Sequence, residues 1–169
     1  MKPLESYFSQ TVSILDQIRT TQADKIETAA EWIAADISKD RVVHVFGTGG
    51  HSYMAGEEIM YRAGGLAPMS GILDAGVSLG NGARRTTLVE RTVGYAQAVL
   101  RWYGVGQGDI LVIVNNSGLN AVTIDAALLA REWGAKVIGI ASVDCSKPVP
   151  TGHPARHPSG KNLFEVVDL

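Results

Sequence analysis

Only one cysteine, Cys145, occurs in the 169 residues, which excludes an intramolecular disulfide and fits a reducing compartment. In sequence it reads as a small hydrophobe or an exposed thiol near a strand end, not as a nucleophile. Charge of one sign is lacking too: 15 Lys and Arg against 17 Asp and Glu leave a net charge of −2. No basic stripe runs along any expected helix, so a nucleic-acid partner is not expected. No hydrophobic run is long enough for a membrane span, and the mixed polarity of Lys2, Pro3, Glu5 and Ser6 does not make a signal peptide. The four histidines lack helical i,i+4 spacing and the cysteine has no partner, so neither a metal nor another cofactor is expected. These absences predict a soluble cytoplasmic domain.

What is present is glycine, 19 residues of it, at two informative places. The β-branched run Val42-Val43-His44-Val45-Phe46 empties into Gly47-Thr48-Gly49-Gly50-His51-Ser52 and then a helical stretch. Ile110-Leu111-Val112-Ile113-Val114 repeats the pattern, leading to Asn115-Asn116-Ser117-Gly118-Leu119-Asn120. A strand–turn–helix of this kind turns backbone N–H groups towards an anion, and the helix dipole adds its positive end. Two such turns at one sheet edge point to a phosphate-bearing small molecule. The plainer alternative is that Asn, Ser and Gly make a turn and cap a helix. Gly47-x-Gly49 is also part of a dinucleotide fingerprint, with Asp74 where a ribose hydroxyl would be held, but Ser52 occupies the third glycine position.

Hydrophobic periodicity supplies the frame. Two amphipathic helices open the chain, one carrying Leu4, Phe8, Val12, Leu15 and Ile18, the next Ile26, Ala29, Trp32, Ile33 and Ile37. Strands are predicted over 41–46, 67–73, 109–114 and 136–142, with another strand entry at Asp168. Helices are predicted over 52–63, 88–103 and 121–133, the second running through Gly94. Residues 143–160 read as an irregular loop set by Pro148, Pro150, Pro154 and Pro158, followed by a helical turn over 162–167. Alternating strands and helices predict a single α/β domain over 1–169: a three-layer, doubly wound parallel sheet of about five strands. Residues 1–40 would form two N-terminal helices packed on the domain or on a dimer partner.

At these residues the chain resembles the sugar isomerase (SIS) domain family. The two loops are similar to its Gly-x-Gly-x-Ser and Ser-x-Ser-Gly-x-Thr/Asn patterns. Tyr61-Arg62-Ala63-Gly64-Gly65-Leu66-Ala67-Pro68 and His157-Pro158-Ser159-Gly160-Lys161 resemble a phosphosugar-binding, phosphoheptose isomerase-like bacterial branch. The resemblance implies a flavodoxin-like fold, a homodimer and a phosphorylated sugar as ligand. It implies binding by Gly47, Thr48, Gly49, Gly50, Ser52, Asn115, Asn116, Ser117, Gly118, Leu119 and Asn120. The family pattern continues past Asp168 with a last strand and a C-terminal helix, which in phosphoheptose isomerases carries a histidine for catalysis or zinc. This sequence stops before both.

The implied reaction, aldose–ketose isomerisation, needs a base to move a proton between adjacent carbons and an acid to open the ring. Glu57 and Glu58 resemble the Ala-Glu-Glu pair of phosphoheptose isomerases, although Arg62 at i+4 also offers Glu58 a surface ion pair. His51 and His157 are the candidate proton donors. His44, inside the first strand, reads as a packed core histidine, and Glu90, beside Arg91 at the expected start of a helix, is a lesser candidate for the base, since acidic residues also belong in first turns. The run 153–161 reads either as a lid bringing Arg156, His157 or Lys161 to phosphate or as a solvated loop. Two rivals stand beside the isomerase: a non-catalytic phosphosugar sensor, and a nucleotide-dependent oxidoreductase resting on Asp74. The implied homodimer predicts that light scattering at micromolar concentration gives twice the 18.0 kDa chain mass; the single-chain mass would remove that expectation.

Overall fold

The computed structural model describes residues 2–169. Its first compact unit extends to Ala35 and its second runs from Asp36 to Leu169. The first unit is helical. Helix α1 covers Pro3–Ile37 without interruption and none of its residues is buried. The expected pair of helices is therefore one. No Gly or Pro separates the two apolar stretches, and the threonines at the expected junction are accommodated. Thr20 and Thr21 donate their hydroxyls to the carbonyls of Asp16 and Gln17 at 2.8 and 2.7 Å, one turn back.

The second unit is built on a parallel sheet of four strands, β1 (Val43–Gly47), β2 (Met69–Gly71), β3 (Ile110–Val114) and β4 (Lys136–Ile140). Their spatial order is β2-β1-β3-β4. The sequence expectation of about five strands is thus corrected to four. Asp168 and Leu169 donate to Val137 O, and Leu169 O accepts from Gly139 N at 2.8 Å, so the last two residues run along the β4 edge without forming a strand. β1 is in register with β3 from Val43↔Ile110 to Gly47↔Val114. Its other neighbour is β2, through Val43↔Met69 to Val45↔Gly71. The chain leaves β1 in one direction and β3 in the other, so the crevice between their carboxyl ends is the switch point of the sheet.

Helix α2 (Met54–Ile59) follows β1, α3 (Ala83–Glu90) and α4 (Tyr95–Trp102) connect β2 to β3, α5 (Ala121–Glu132) joins β3 to β4, and the short α6 (Val143–Ser146) follows β4. Right-handed crossovers place α2 on one face of the sheet and α3, α4 and α5 on the other. On the latter face Ala96, Val99 and Leu100 of α4 and Val122, Ala126 and Ala130 of α5 share one core with Phe46, Leu111, Ile113 and Val137. Helix α2 lies close to β2, where a Cβ on Gly71 would approach Gly56 O to 2.5 Å. Only glycine fits that contact.

Two expected helices are shorter than their periodicity. The one predicted over 52–63 ends at Ile59, because Met60 turns extended (ψ 141°) and Tyr61 is left-handed (φ 54°). The one predicted over 88–103 is two helices broken at Gly94, whose φ of 83° lets the chain change direction before α4. The break reverses the setting of Glu90, which is the last residue of α3 and not an acid in a first turn.

His44 does lie in the core, 7% exposed, and its Nδ1 has no hydrogen-bond partner among the described residues. Burial holds its pKa below 6.5, against the opposing charge of Asp109. As pH falls through 6.5 the unfolded chain takes up a proton here that the folded chain refuses until lower pH. Stability contributed by neutral His44 is therefore complete above that value, declines below it, and levels off beneath the folded-state pKa. Urea midpoints measured from pH 7.5 to 5 are expected to fall across this window, and to fall less in His44→Leu; identical slopes would refute the assignment.

Candidate functional site

Both glycine loops leave the sheet at the switch point, Gly47–Ser52 after β1 and Asn115–Asn120 after β3. They are joined through Asn115, which is 5% exposed. Its Nδ2 donates to Thr48 O at 3.1 Å, and its Oδ1 accepts from Gly118 N at 2.8 Å and Ser117 Oγ at 3.2 Å. One amide thus shapes the second loop and ties it to the first. Beneath it the Thr48 and Thr123 hydroxyls, both fully buried, lie 2.6 Å apart and link the first loop to α5. With both loops held, the N–H groups of Gly49, Gly50, His51 and Ser52, and those of Asn116, Ser117, Leu119 and Asn120, have no protein acceptor among the described residues. A pair of loops rich in unpaired donors at helix starts can take an anion.

A carboxylate stands against the same loops. A Cβ on Gly49 would lie 3.1 Å from Asn115 Nδ2 and 3.2 Å from Glu90 Oε2, so Glu90 reaches the first loop. The Asn120 side chain in the second loop also acts on it as a hydrogen-bonding neighbour. Burial raises its pKa, against the charge of Arg91 and that hydrogen bond. Asn120 in turn accepts from Ser117 Oγ at 3.3 Å, which completes a chain of polar side chains across the crevice.

The α2 residues are differently placed. Glu57 and Glu58 are both exposed. Glu58 pairs with Arg62 at 2.9 Å on the open surface, whereas Glu57 makes no ion pair among the described residues and lies one turn beyond Tyr53. His51 is exposed on the first loop and Ser52 is half-buried. Asn116 is exposed at the crest of the second loop, while Leu119 is buried beneath it.

His157 is held from three sides. Its backbone N–H donates to Leu119 O at 2.8 Å, its Nε2 bonds Asp125 Oδ1 at 3.1 Å, and its Nδ1 bonds Ser159 Oγ at 2.7 Å. Asp125 also accepts from Gly94 N at 2.6 Å, which ties the α3–α4 junction to the same point. The segment 153–161 is neither a lid nor a free loop. The Arg156 guanidinium donates to Val149 O, Gly160 O, Asn162 Oδ1 and Ser146 O at 2.9–3.1 Å. Those bonds occupy it in holding the segment, which Leu163 N→Gly118 O at 2.7 Å then fastens to the second loop.

Asp74 accepts from Gly76 N and from Tyr95 OH, both at 2.8 Å. The Tyr95 hydroxyl is pushed up to about 12 by burial and by this bond to the Asp74 carboxylate. One oxygen of the carboxylate proposed for a ribose is therefore already engaged in shaping a turn. Among the described residues no group of three or more His, Cys, Asp or Glu side chains is arranged to hold a metal.

Sequence reasoning placed both loops at one sheet edge, as in the structure, but read Glu90 at the start of a helix, whereas it ends α3. The missing signal was Gly94, read as a tolerated helical glycine although its left-handed conformation marks a helix boundary.

The chain matches the profile of a family described as SIS domain over residues 6–142. UPF0309 proteins of Brucella ovis and Brucella canis are 44% identical over 148 residues, covering 88% of this chain and 61% of theirs. The chain therefore spans about three-fifths of the length of these curated relatives. Among solved structures, a phosphoheptose isomerase from Francisella tularensis superposes with a TM-score of 0.66 at 18% identity, over 86% of this chain and 78% of that one. The phosphoheptose isomerase of Neisseria gonorrhoeae gives 0.65 at 21% identity, over 85% and 76%. These two likenesses establish the fold.

The Asn115 brace makes a quantitative prediction. Asn115→Ala leaves Thr48 O and Gly118 N buried without partners, at about 1–3 kcal/mol for each such group. A loss of about 2 kcal/mol or more is expected in urea denaturation, and a change below about 0.5 kcal/mol would show that the amide braces nothing.

Proposed function

The chain belongs to the SIS domain family, and on that premise we propose that it binds a phosphorylated sugar in the crevice between β1 and β3. The observation that carries this reading is the pair of braced loops with unpaired N–H groups at one sheet edge. The phosphate would be held by the open backbone N–H groups of Gly49, Gly50 and Ser52 and of Ser117, Leu119 and Asn120, while Gly47, Thr48 and Gly118 shape the turns, the N–H groups of Thr48 and Gly118 being engaged by Val114 O and Asn115 Oδ1. Asn115 and Asn116 would shape the second loop around it. Such a site needs no cation, because convergent N–H dipoles at helix starts balance the charge.

The reaction class proposed is aldose–ketose isomerisation of the bound sugar phosphate. The phosphoheptose isomerase fold supports it, as do titratable groups beside the loops. His51 and Glu57, both exposed and free of ion pairs among the described residues, are the groups proposed for proton traffic at the ring oxygen. Glu58 and His157 are less available, one paired with Arg62 and the other bonded at both ring nitrogens. That engagement favours a second reading, a phosphosugar sensor that binds without turnover. A homodimer is proposed with either reading, in a cytoplasmic setting; no helix of the described residues is long and apolar enough to cross a membrane.

A thermal-shift panel tests the binding claim. Hexose, hexosamine and heptose phosphates are compared with nicotinamide nucleotides. A ligand at a hundredfold excess over its Kd adds about 2.7 kcal/mol of stability, so at least one phosphosugar is expected to raise Tm clearly. Ser117→Ala is expected to reduce that shift; stabilisation by the nucleotides alone would reverse the reading.

A further inference from the structure

We propose that Glu90 is the base that carries the proton between the two reacting carbons of the bound sugar, an assignment that deepens the isomerase reading and rests on it. Its position is the first reason. Glu90 Oε2 lies against Gly49 of the first loop, and the Asn120 side chain of the second acts on its carboxylate. A phosphate held at the open N–H groups farther from Glu90 would leave this carboxylate, which repels it, to the uncharged part of the sugar, where the carbon acid is.

The second reason is that nothing structural explains an acid at this position. Glu90 is the last residue of α3, where the negative end of the helix dipole disfavours a carboxylate. It forms no ion pair with a cation within 4 Å among the described residues, and Arg91 acts on it only as a neighbouring charge. Its one side-chain partner, Asn120, is itself part of the ligand-binding loop. A half-buried carboxyl with a pKa above the usual carboxylate range is a better match to the weak acidity of a sugar α-carbon than a fully solvated one. Exposed Glu57 and ion-paired Glu58 lack that environment.

The step balances without a co-reactant. For an aldose phosphate, the Glu90 carboxylate takes the proton from C2. The C–H electron pair forms C1=C2, and the C1 carbonyl π pair moves to its oxygen, which is protonated by a donor such as His51. The enediol then returns the O2 proton to that donor as C2=O forms, and the Glu90 carboxyl delivers its proton to C1. N–H groups of the loops stabilise the charge that develops on oxygen.

Solvent exchange reads this step directly. The full chain is incubated in D2O with glucose 6-phosphate, glucosamine 6-phosphate or sedoheptulose 7-phosphate. Deuterium at C2 of the aldoses or C1 of the ketose is followed by NMR, and binding is measured in parallel by calorimetry. Glu90→Gln is expected to bind within about threefold of the parent while wash-in falls by about 10²-fold or more. Glu90→Asp, which keeps the charge but withdraws it by one methylene, should keep binding and recover part of the rate. Wash-in in Glu90→Gln within tenfold of the parent overturns the assignment and leaves the binding site standing. Binding by the parent without any wash-in overturns it as well, in favour of the sensor. Loss of binding in Glu90→Gln makes the residue a ligand holder and not a base. Absence of binding to all three sugars by the parent removes the phosphosugar reading for these compounds and the Glu90 assignment with it.

Discussion

The Asn115 side chain is the contact on which the crevice depends. A parallel sheet brings the ends of β1 and β3 side by side but does not dictate the path of the loops beyond them. Those loops carry backbone groups that a helix or strand would have satisfied, and a buried loop with open donors is ordinarily costly. Asn115 meets that cost at the three points where water is excluded: Thr48 O, Gly118 N and the Ser117 hydroxyl. Its three bonds leave the remaining N–H groups open towards the crevice. A serine at the same place, the residue expected from the resemblance, has one oxygen and cannot span both loops. The larger amide spans both loops and fixes the frame.

The rest of the second unit extends that frame. Thr48 and Thr123 lock the first loop to α5, His157 N and Leu163 N hold the carbonyls of Leu119 and Gly118, and Arg156 fixes the segment that supplies them. Asp125 then connects His157 to the start of α4 through Gly94 N. Almost every polar side chain on the inner side of the crevice is thus engaged with protein. Those on the outer side, His51, Glu57 and Asn116, are exposed.

Sequence pattern made the sheet legible because β-branched runs such as Val43–Phe46 and Ile110–Val114 have one stable destination, a strand buried on both faces. It made the loops legible because glycine and small polar residues directly after such a run have few alternatives to a tight turn. It failed where the same residue type serves two backbone states. Gly94 is compatible with a helix interior at a cost of about 1 kcal/mol, and with a left-handed break at none; only packing of α4 on α5 decides. Thr20 and Thr21 err the other way, weak helix formers that α1 keeps by bonding their hydroxyls back along the helix. Arg156 is open in sequence to two readings, phosphate ligand in a lid or residue of a solvated loop, and the structure takes neither because a guanidinium has five donors and the proline-rich segment around it offers carbonyls that no strand or helix satisfies.

The position of a single helix boundary decides how Glu90 is understood. In a helix starting at Leu88 its charge is favourable and needs no further reason; at the end of α3 the same charge is unfavourable and half-buried beside two anion-ready loops. A residue that opposes its local electrostatics is retained where it serves something outside the helix. A carboxylate beside converging donors also sorts ligands: a molecule with charge at both ends meets repulsion at one of them, whereas a molecule with one anionic end and a neutral polyol end satisfies both. The crevice thus has donors on its loops and an acceptor carboxylate beside them, a polarity set by the boundary of one helix.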